Sequence, residues 1–518
     1  MQTFLHRMSS KIKGTLSRFD RVRFRGTIRW LSSLRGMGAY LGTMRILLKD
    51  FTAWGKARTA EINRATAALA QETGRPMRYL DRSTDRKETL ALEIAYQENI
   101  KEGLIAIFKC VEPCWTFKVG PNAQTKKLEL RYQPSKCAHL YFYMLDRDLG
   151  LTHLRLQMWA PFSIHVCING REWLARQLKQ SGIGFDQRDN CFVDIDDLAR
   201  AQELASAQLR TNWSALLDRF VSRCHPAHQT MFADRPLEYY WSAEETEWAT
   251  DVLFRSPEDL ASVYPHLLRH AVTTFGSPDT LRFLGQAPVV HRNTTREVIS
   301  SFKTRPEGTR VKHSINRNSI KMYDKQQSVL RVETTINDPR DLKVFRTKEG
   351  DPGGKKSWLR LRKGVADLER RAEVSQKSNE RYLEGLAAVQ HDQSLETTVQ
   401  TICEPTVFQG RRVRALQPLS PEDGLLLATV IRGEFAINGF RNRDLRPLLF
   451  EDVETPPEEI KRQAAKITRL LRLLRAHGLI QKVPTTHRYT LTTKGRQTIA
   501  SLQVAKQTSA EKLSKLAV

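Results

Sequence analysis

Cysteine is scarce: seven in 518 residues, an odd number that builds no disulfide framework and fits a reducing compartment. No apolar run approaches the roughly 18–20 residues needed to span a bilayer. The opening residues Met1-Gln-Thr-Phe-Leu-His-Arg have no apolar signal region, so a soluble cytoplasmic protein without membrane partners is expected. The phosphate-binding Gly-x-x-x-x-Gly-Lys loop, the dinucleotide Gly motif after a strand and Gly-x-Ser-x-Gly are all missing, which argues against nucleotide hydrolysis and serine esterase chemistry. Acid is scarce too. Asp20 is the only acidic residue before Asp50, and none falls between Glu459 and Glu511.

What is present is base. Lys and Arg number 83 against 57 Asp and Glu, a net charge of +26, while 40% hydrophobic residues suffice for real cores. A field of that sign gathers polyanions, so DNA is the leading partner and RNA the second. The length implies several domains. The pattern predicts an α/β (mixed α+β), multidomain chain: a basic, mostly helical region at 1–100, an α/β domain at 101–235, and a mixed domain at 236–350. A charged helix and linker follow at 351–418, then a compact domain at 419–502 and a tail at 503–518.

The first basic run carries Arg21, Arg23 and Arg25 in Phe19-Asp20-Arg21-Val22-Arg23-Phe24-Arg25. Strand alternation sets these arginines on one face as phosphate contacts, with Asp20, Val22 and Phe24 on the other. Further along, His139–Leu145 and Leu151–Ala160 read as a hairpin, and helices are expected at Leu41–Ala67, Arg171–Gln180, Trp213–Ser222, Pro257–Thr274, Thr294–Lys303 and Trp358–Val389. Arg346–Lys356 reads as a loop and Arg411–Arg414 as part of a linker.

Residues 419–502 carry the most readable pattern. A helix follows the Ser420-Pro421 cap, a short one lies near Arg441–Leu449, and a third runs from Glu458 to His477 and stops at Gly478. Ile467, Leu470, Leu471 and Leu474 make one apolar stripe on that third helix, with Arg462, Arg469 and Arg472 opposite. Two short strands follow around a basic turn bearing Lys482, His487 and Arg488. This order resembles a winged helix-turn-helix domain, which implies a helix in the DNA major groove and a wing on the flanking backbone.

Ser319–Ile336 is the strongest candidate for chemistry. A three-residue turn at Gln326–Ser328 sets Met322 against Val332 and Ile320 against Thr334, an apolar side. It sets Lys321 against Glu333 and Tyr323 against Arg331, a polar one. Such a set could attack and clamp a phosphodiester: Tyr323 as nucleophile, Lys325 and Arg331 on the phosphate, Glu333 on a divalent metal. The segment resembles the Tyr-Asp-Lys … Arg-x-Glu hairpin of rolling-circle replication initiators. That likeness covers about 25–30 residues and implies DNA nicking through a covalent tyrosyl intermediate with Mg²⁺ or Mn²⁺. The His-x-His metal motif of many such enzymes is missing, and His313 is the nearby imidazole left to join Glu333 as a ligand.

The competing reading of the hairpin is structural, its pairs contributing roughly 0.2–1 kcal/mol each. A non-enzymatic nucleic-acid-binding regulator is then the function. Two other sets stay open. Asp20, Glu112 and Asp194 or Asp196 could form the carboxylate triad of an RNase H-like nuclease or transposase. Cys110, Cys114, Cys137 and His139 could hold zinc, although free cysteines are more often simply buried and zinc is disfavoured on that ground.

Overall fold

The computed structural model describes residues 1–188, 190–285, 298–305, 308–348, 350–351, 353–387, 399–432, 434–435, 439–450, 456–484 and 486–508. The chain is mixed α+β and divides into two compact units. The first holds Met1–Tyr264 and the strands and helix that end near Leu383; the second holds Pro265–Arg282 and the chain from Glu384.

In chain order, the first unit opens with α1 (Gln2–Arg7), β1 (Ile12–Ile28), α2 (Leu34–Thr43), α3 (Phe51–Thr73), β2 (Met77–Tyr79) and α4 (Lys87–Gln97). Two long strands follow, β3 (Gly103–Pro121) and β4 (Leu128–Asp146), then β5 (Gly150–Gln157) and β6 (Ile164–Asn169). Next come α5 (Gly170–Gln180), the small hairpin β7 (Phe185–Arg188) and β8 (Cys191–Ile195), α6 (Leu198–Ala207), α7 (Trp213–Cys224) and α8 (Ala227–Met231). The long β9 (Tyr239–Phe254) leads to α9 (Pro257–Thr273) and α10 (Ser277–Phe283), which from Pro265 to Arg282 belong to the second unit. Four strands return: β10 (Val298–Arg305), β11 (Gly308–Ile315), β12 (Asn318–Lys325) and β13 (Val329–Ile336). A short pair, β14 (Lys343–Arg346) and β15 (Ser357–Arg360), precedes α11 (Leu368–Leu386).

Eleven strands form one sheet in the order β10-β11-β12-β13-β9-β1-β6-β5-β4-β3-β2, antiparallel except for β2 beside β3. The regions 1–100, 101–235 and 236–350 therefore do not stand as separate domains, because each supplies strands to this sheet. The N-terminal region is mostly helical, as expected, but its long β1 lies between β6 and β9. A mixed fold was legible, but single-strand patterns do not say which distant strand completes the ladder.

One sheet face is apolar. Phe19, Val22 and Phe24 of β1, Trp248 of β9, Val166 of β6 and Phe142 of β4 are buried there with Phe51 and Ile62 of α3, Trp213 and Leu217 of α7 and Leu368 of α11. The other face is covered only in parts. At one end α5 and α6 bury Leu16, Leu253 and Val329. Towards the opposite edge α4 buries Phe108 and Tyr143. Charged side chains occupy the strip between.

Two irregularities shape that strip. The β1–β9 register slips at Asp20 and again opposite Glu244. The first slip moves Asp20 away from Val22 and Phe24, where plain alternation sets it, and into a cluster with Arg18, Arg171 and Arg331. Gly170 makes room there, because a Cβ at that position would meet the Phe19 carbonyl oxygen at 2.2 Å.

Other local expectations also change. Residues 298–305 form strand β10 rather than a helix; the earlier part of that stretch, 294–297, lies outside the described residues. Trp358 belongs to β15, and the charged helix begins only at Leu368. Gln376 and Asn379 of α11 bond Trp248 and Thr250 of β9, so the helix is packed on the sheet and is no spacer.

In the second unit, β16 (Thr406–Phe408) pairs with β17 (Arg411–Val413), giving a small hairpin where a linker was expected. Helices α12 (Pro421–Val430), α13 (Asn442–Leu449) and α14 (Pro457–Ala476) follow, then the hairpin β18 (Ile480–Lys482) and β19 (Tyr489–Leu491), and α15 (Thr493–Gln507). The Ser420 side chain caps α12, and Gly478 ends α14 with φ 71°. Leu426, Leu427, Phe440, Leu445, Ile467, Leu471, Leu474, Ile480 and Ile499 form the core. On α14 the buried positions are Gln463, Ile467, Leu471, Leu473 and Leu474, while Leu470 is only half-buried.

Candidate nucleic-acid interface

The hairpin register is the expected one: Lys321 opposite Glu333, Tyr323 opposite Arg331, and Met322 opposite Val332. The turn at Gln326 and Gln327 adopts φ 52° and 57°. Strands β12 and β13 lie inside the large sheet, with β11 and β9 outside them, so the hairpin is not an exposed flap.

That position changes what each side chain can do. Arg331 is fully buried; its Nε and Nη2 donate to Asp251 at 2.6 and 2.8 Å, and Nη1 donates to Asp20 at 3.3 Å. Burial opposes its charge, and Asp251 and Asp20 overcome that and raise its pKa well above the ordinary value. Arg331 is therefore consumed by the protein's own carboxylates and does not reach a phosphate.

Glu333 is buried and accepts a 2.7 Å bond from Lys321, whose ammonium also lies 3.4 Å from Glu247. Burial pushes the Glu333 carboxyl up, with Lys321 opposing the rise. Lys325 is buried, its ammonium 5.1 Å from the centre of the Tyr323 ring.

Tyr323 is half-buried, in register with Arg310 on β11. Burial first and the Glu333 charge second push its phenol up to about 12. Among the described residues its hydroxyl has no hydrogen-bond partner.

His313 does not join Glu333. It pairs in register with Ile320, one residue out of step with Lys321, so it points to the other face of the sheet. There it is buried, with Nδ1 2.8 Å from the Ser300 hydroxyl and Nε2 3.4 Å from that of Tyr382. The donor set expected for Mg²⁺ or Mn²⁺ is thus split between two faces, and its one carboxylate is already held by an ammonium. These residues do not fit the ion.

The carboxylate triad does not assemble either. Asp20 on β1 and Glu112 on β3 are separated by three strands, about 19 Å at the usual spacing. Asp194 is paired with Lys13 at 2.8 Å.

A row of charge crosses the open strip. Arg21 donates to Glu245 and Glu247 at 3.0 and 3.2 Å. Arg23 lies 3.3 Å from Glu244, and His165 is equally close to the same carboxylate. Further along, Glu112 accepts bonds from Tyr141 and Arg155. The Glu112 carboxyl is lowered to about 2: burial opposes, and the Tyr141 and Arg155 hydrogen bonds prevail. Arg21 and Arg23 keep 49% and 43% of their side-chain surface exposed, and Arg25 is half-buried.

Beside Lys321 the strip opens into a polar cavity of about 180 Å³ lined by Glu245, Glu247, Lys312, Ser314, Arg317 and Lys321, among others. At the end of β9 the exposed Tyr240 stacks on Arg29 with the guanidinium 3.9 Å from the ring centre, whereas its neighbours Tyr239 and Trp241 are buried. Phe142, Tyr143 and Phe162 are core residues as well.

Sequence reasoning missed Glu245, Glu247 and Asp251. Their signal was present, since acids at alternate positions of Glu245-Thr-Glu-Trp-Ala-Thr-Asp251 mark one strand face. Nothing in the sequence said that this face lies beside the arginines of β1.

In the second unit Arg462 and Arg469 are exposed, while Arg472 is half-buried with its Nε out of solvent and without a hydrogen-bond partner among the described residues. Lys482 and His487 are exposed on or beside the β18–β19 hairpin, and Arg488 is half-buried. Lys466 pairs with Glu422 at 2.6 Å and Arg462 with Glu459 at 2.9 Å.

Comparison with protein-family models, with curated proteins and with solved structures gives no match for this chain. Among the described residues no helix is long and apolar enough to cross a membrane.

Proposed function

We propose that the protein binds DNA, with α12 to β19 serving as a winged helix-turn-helix domain, and that it acts as a replication initiator or mobile-element enzyme. The observation that carries the reading is α14. Lys461, Arg462, Lys466 and Arg469 stand exposed on a helix whose buried positions are Gln463, Ile467, Leu471, Leu474 and, near its C-terminal end on the basic side, Leu473. A basic hairpin follows it directly. A helix whose apolar stripe is satisfied by its own core leaves the basic side for phosphates and base edges. On the first unit Arg21 and Arg23 are ion-paired with Glu244, Glu245 and Glu247, and the neighbouring cavity is lined by acids as well as lysines, so the second unit carries the reading.

Strand cleavage is the finer part of the proposal. It rests on Tyr323, whose hydroxyl lacks a partner among the described residues and whose strand also carries Lys321 at the rim of the cavity. In the step proposed, the Tyr323 oxygen attacks phosphorus and the bond to one sugar oxygen breaks. The phenol proton is lost and the departing oxygen gains one, leaving a phosphotyrosyl link. Arg310 and Lys312, neighbours on β11, would steady the charge on the phosphate.

Gel-shift titrations with duplex DNA, single-stranded DNA and RNA, together with nicking of supercoiled plasmid, test both parts. Preference for RNA overturns the DNA assignment. Tight DNA binding with no nick and no adduct leaves a non-enzymatic regulator.

A further inference from the structure

The β3–β4 hairpin brings together the two halves of a motif that lie 23 residues apart in the chain. In its register Glu112 faces Cys137 and Cys110 faces His139, so Cys110, Glu112, Cys114, Cys137 and His139 share one side. The donor atoms of Cys114, Cys137 and His139 all lie within 4.8 Å of one another. The two sulfurs are 3.3 Å apart, far beyond the roughly 2.05 Å of a disulfide.

His139 supplies the second observation. Its ring is fully buried, and Nδ1 lies 3.1 Å from the Cys137 carbonyl oxygen. Its Nε2 is buried with no hydrogen-bond partner among the described residues. A histidine that donates one ring N–H to a backbone carbonyl and leaves the other nitrogen bare is oriented as metal-binding histidines are.

We propose that Cys114, Cys137 and His139 Nε2 form a zinc centre, a site independent of the nucleic-acid reading. Two thiolates and an imidazole suit a thiophilic divalent ion and not Mg²⁺ or Mn²⁺. Tetrahedral zinc with Zn–S near 2.3 Å separates its sulfurs by about 3.8 Å, within about half an ångström of the spacing here. The two thiolates cancel the ion's charge, so the centre tolerates its half-buried place.

Cys110 is not a ligand. Its sulfur lies 3.4 Å from Glu112, which is itself held by Tyr141 and Arg155. Three protein ligands leave the fourth position for water or another small donor. The backbone around the site is braced, since Gln157 donates to the Trp115 carbonyl and Trp159 Nε1 to that of Phe117.

The test uses the full chain, purified with reduced thiols and assayed by elemental analysis and by titration with Co²⁺. One zinc per chain is expected, and Co²⁺ should give thiolate charge-transfer absorption in the near ultraviolet with d–d bands of tetrahedral intensity. Cys114→Ser and Cys137→Ser should each lose at least 90% of the bound metal, while Cys403→Ser, at an exposed cysteine, should lose none. If a serine variant misfolds, the Co²⁺ spectrum of the unaltered protein still decides. Absence of both zinc and Co²⁺ binding overturns the proposal. So does a Cys114–Cys137 disulfide found by mass spectrometry in protein handled without oxidant, which would make the pair a redox couple instead.

Discussion

Arg331 on β13 and Asp251 on β9 are cross-strand partners joined by two hydrogen bonds, 2.6 and 2.8 Å long, and both side chains are 1% exposed. Arg18 lies 3.4 Å from the same carboxylate, so one aspartate serves two buried guanidiniums. Asp251→Ala leaves both buried guanidiniums to share Asp20 as their carboxylate. The expected loss is about 3–5 kcal/mol, measured by urea denaturation. The double variant Asp251→Leu, Arg331→Met should lose distinctly less, because Asp20 then has one buried guanidinium fewer to balance.

Acid should weaken the fold before carboxylates titrate. Burial lowers His225 to about 3 and His153 to about 4, from an ordinary 6.5. The folded values lie below the unfolded one, so protonation favours unfolding. The stability held by neutral His225 and His153 is complete above about pH 6.5 and is lost as pH falls towards 4 and 3. Urea midpoints measured from pH 7.5 to 4.5 should fall steadily, and less steeply in His153→Gln.

DNA affinity should drop by about 10³ or more between roughly 50 and 200 mM salt if six or more phosphates are neutralised. Filter binding across that range checks it. A salt-independent constant would remove nucleic acid as the main partner.

The two sides of α14 should separate binding from stability. Arg462→Ala and Arg469→Ala together should weaken DNA binding several-fold and leave the melting temperature within a degree or two. Leu474→Ala, in the core of the second unit, should cost about 2–5 kcal/mol through the cavity it opens. Unfolding by the arginine changes with binding intact would refute the assignment of faces.

Tyr323→Phe removes one oxygen that carries no hydrogen bond among the described residues, so folding should be unaltered. Any covalent protein–DNA adduct should disappear while DNA affinity stays near that of the parent. An adduct that persists in this variant rules Tyr323 out as nucleophile.

Much of this was readable where the signal is local. The Ser420 cap, the Gly478 stop, the stripe on α14 and the register of the Ser319–Ile336 hairpin all follow from neighbours a few residues apart. Three of the four stripe positions, Ile467, Leu471 and Leu474, are buried as expected, while Leu470 is half-buried and Leu473, on the arginine side of the helix, is buried as well. Failures came where partners are distant. Alternation set Asp20 with Val22, and only the bulge against β9 turned it towards Arg331, 311 residues later. His313 seemed close to Glu333 along the chain, but the pleat sends the two to opposite faces.

The position of β1 bears on how the chain is made. This strand is synthesised well before both of its neighbours, β6, ending at Asn169, and β9, ending at Phe254. Neither edge of β1 can close until those segments have been synthesised, which at about 5–20 residues per second is a wait of some ten seconds or longer. Its exposed arginines are a safeguard during that interval, since a strand studded with like charges resists pairing with a second nascent copy of itself. Large separation in sequence also slows the search for native pairs. Replacing Arg21, Arg23 and Arg25 by neutral residues should therefore show first as aggregation during expression, before any change in the finished protein.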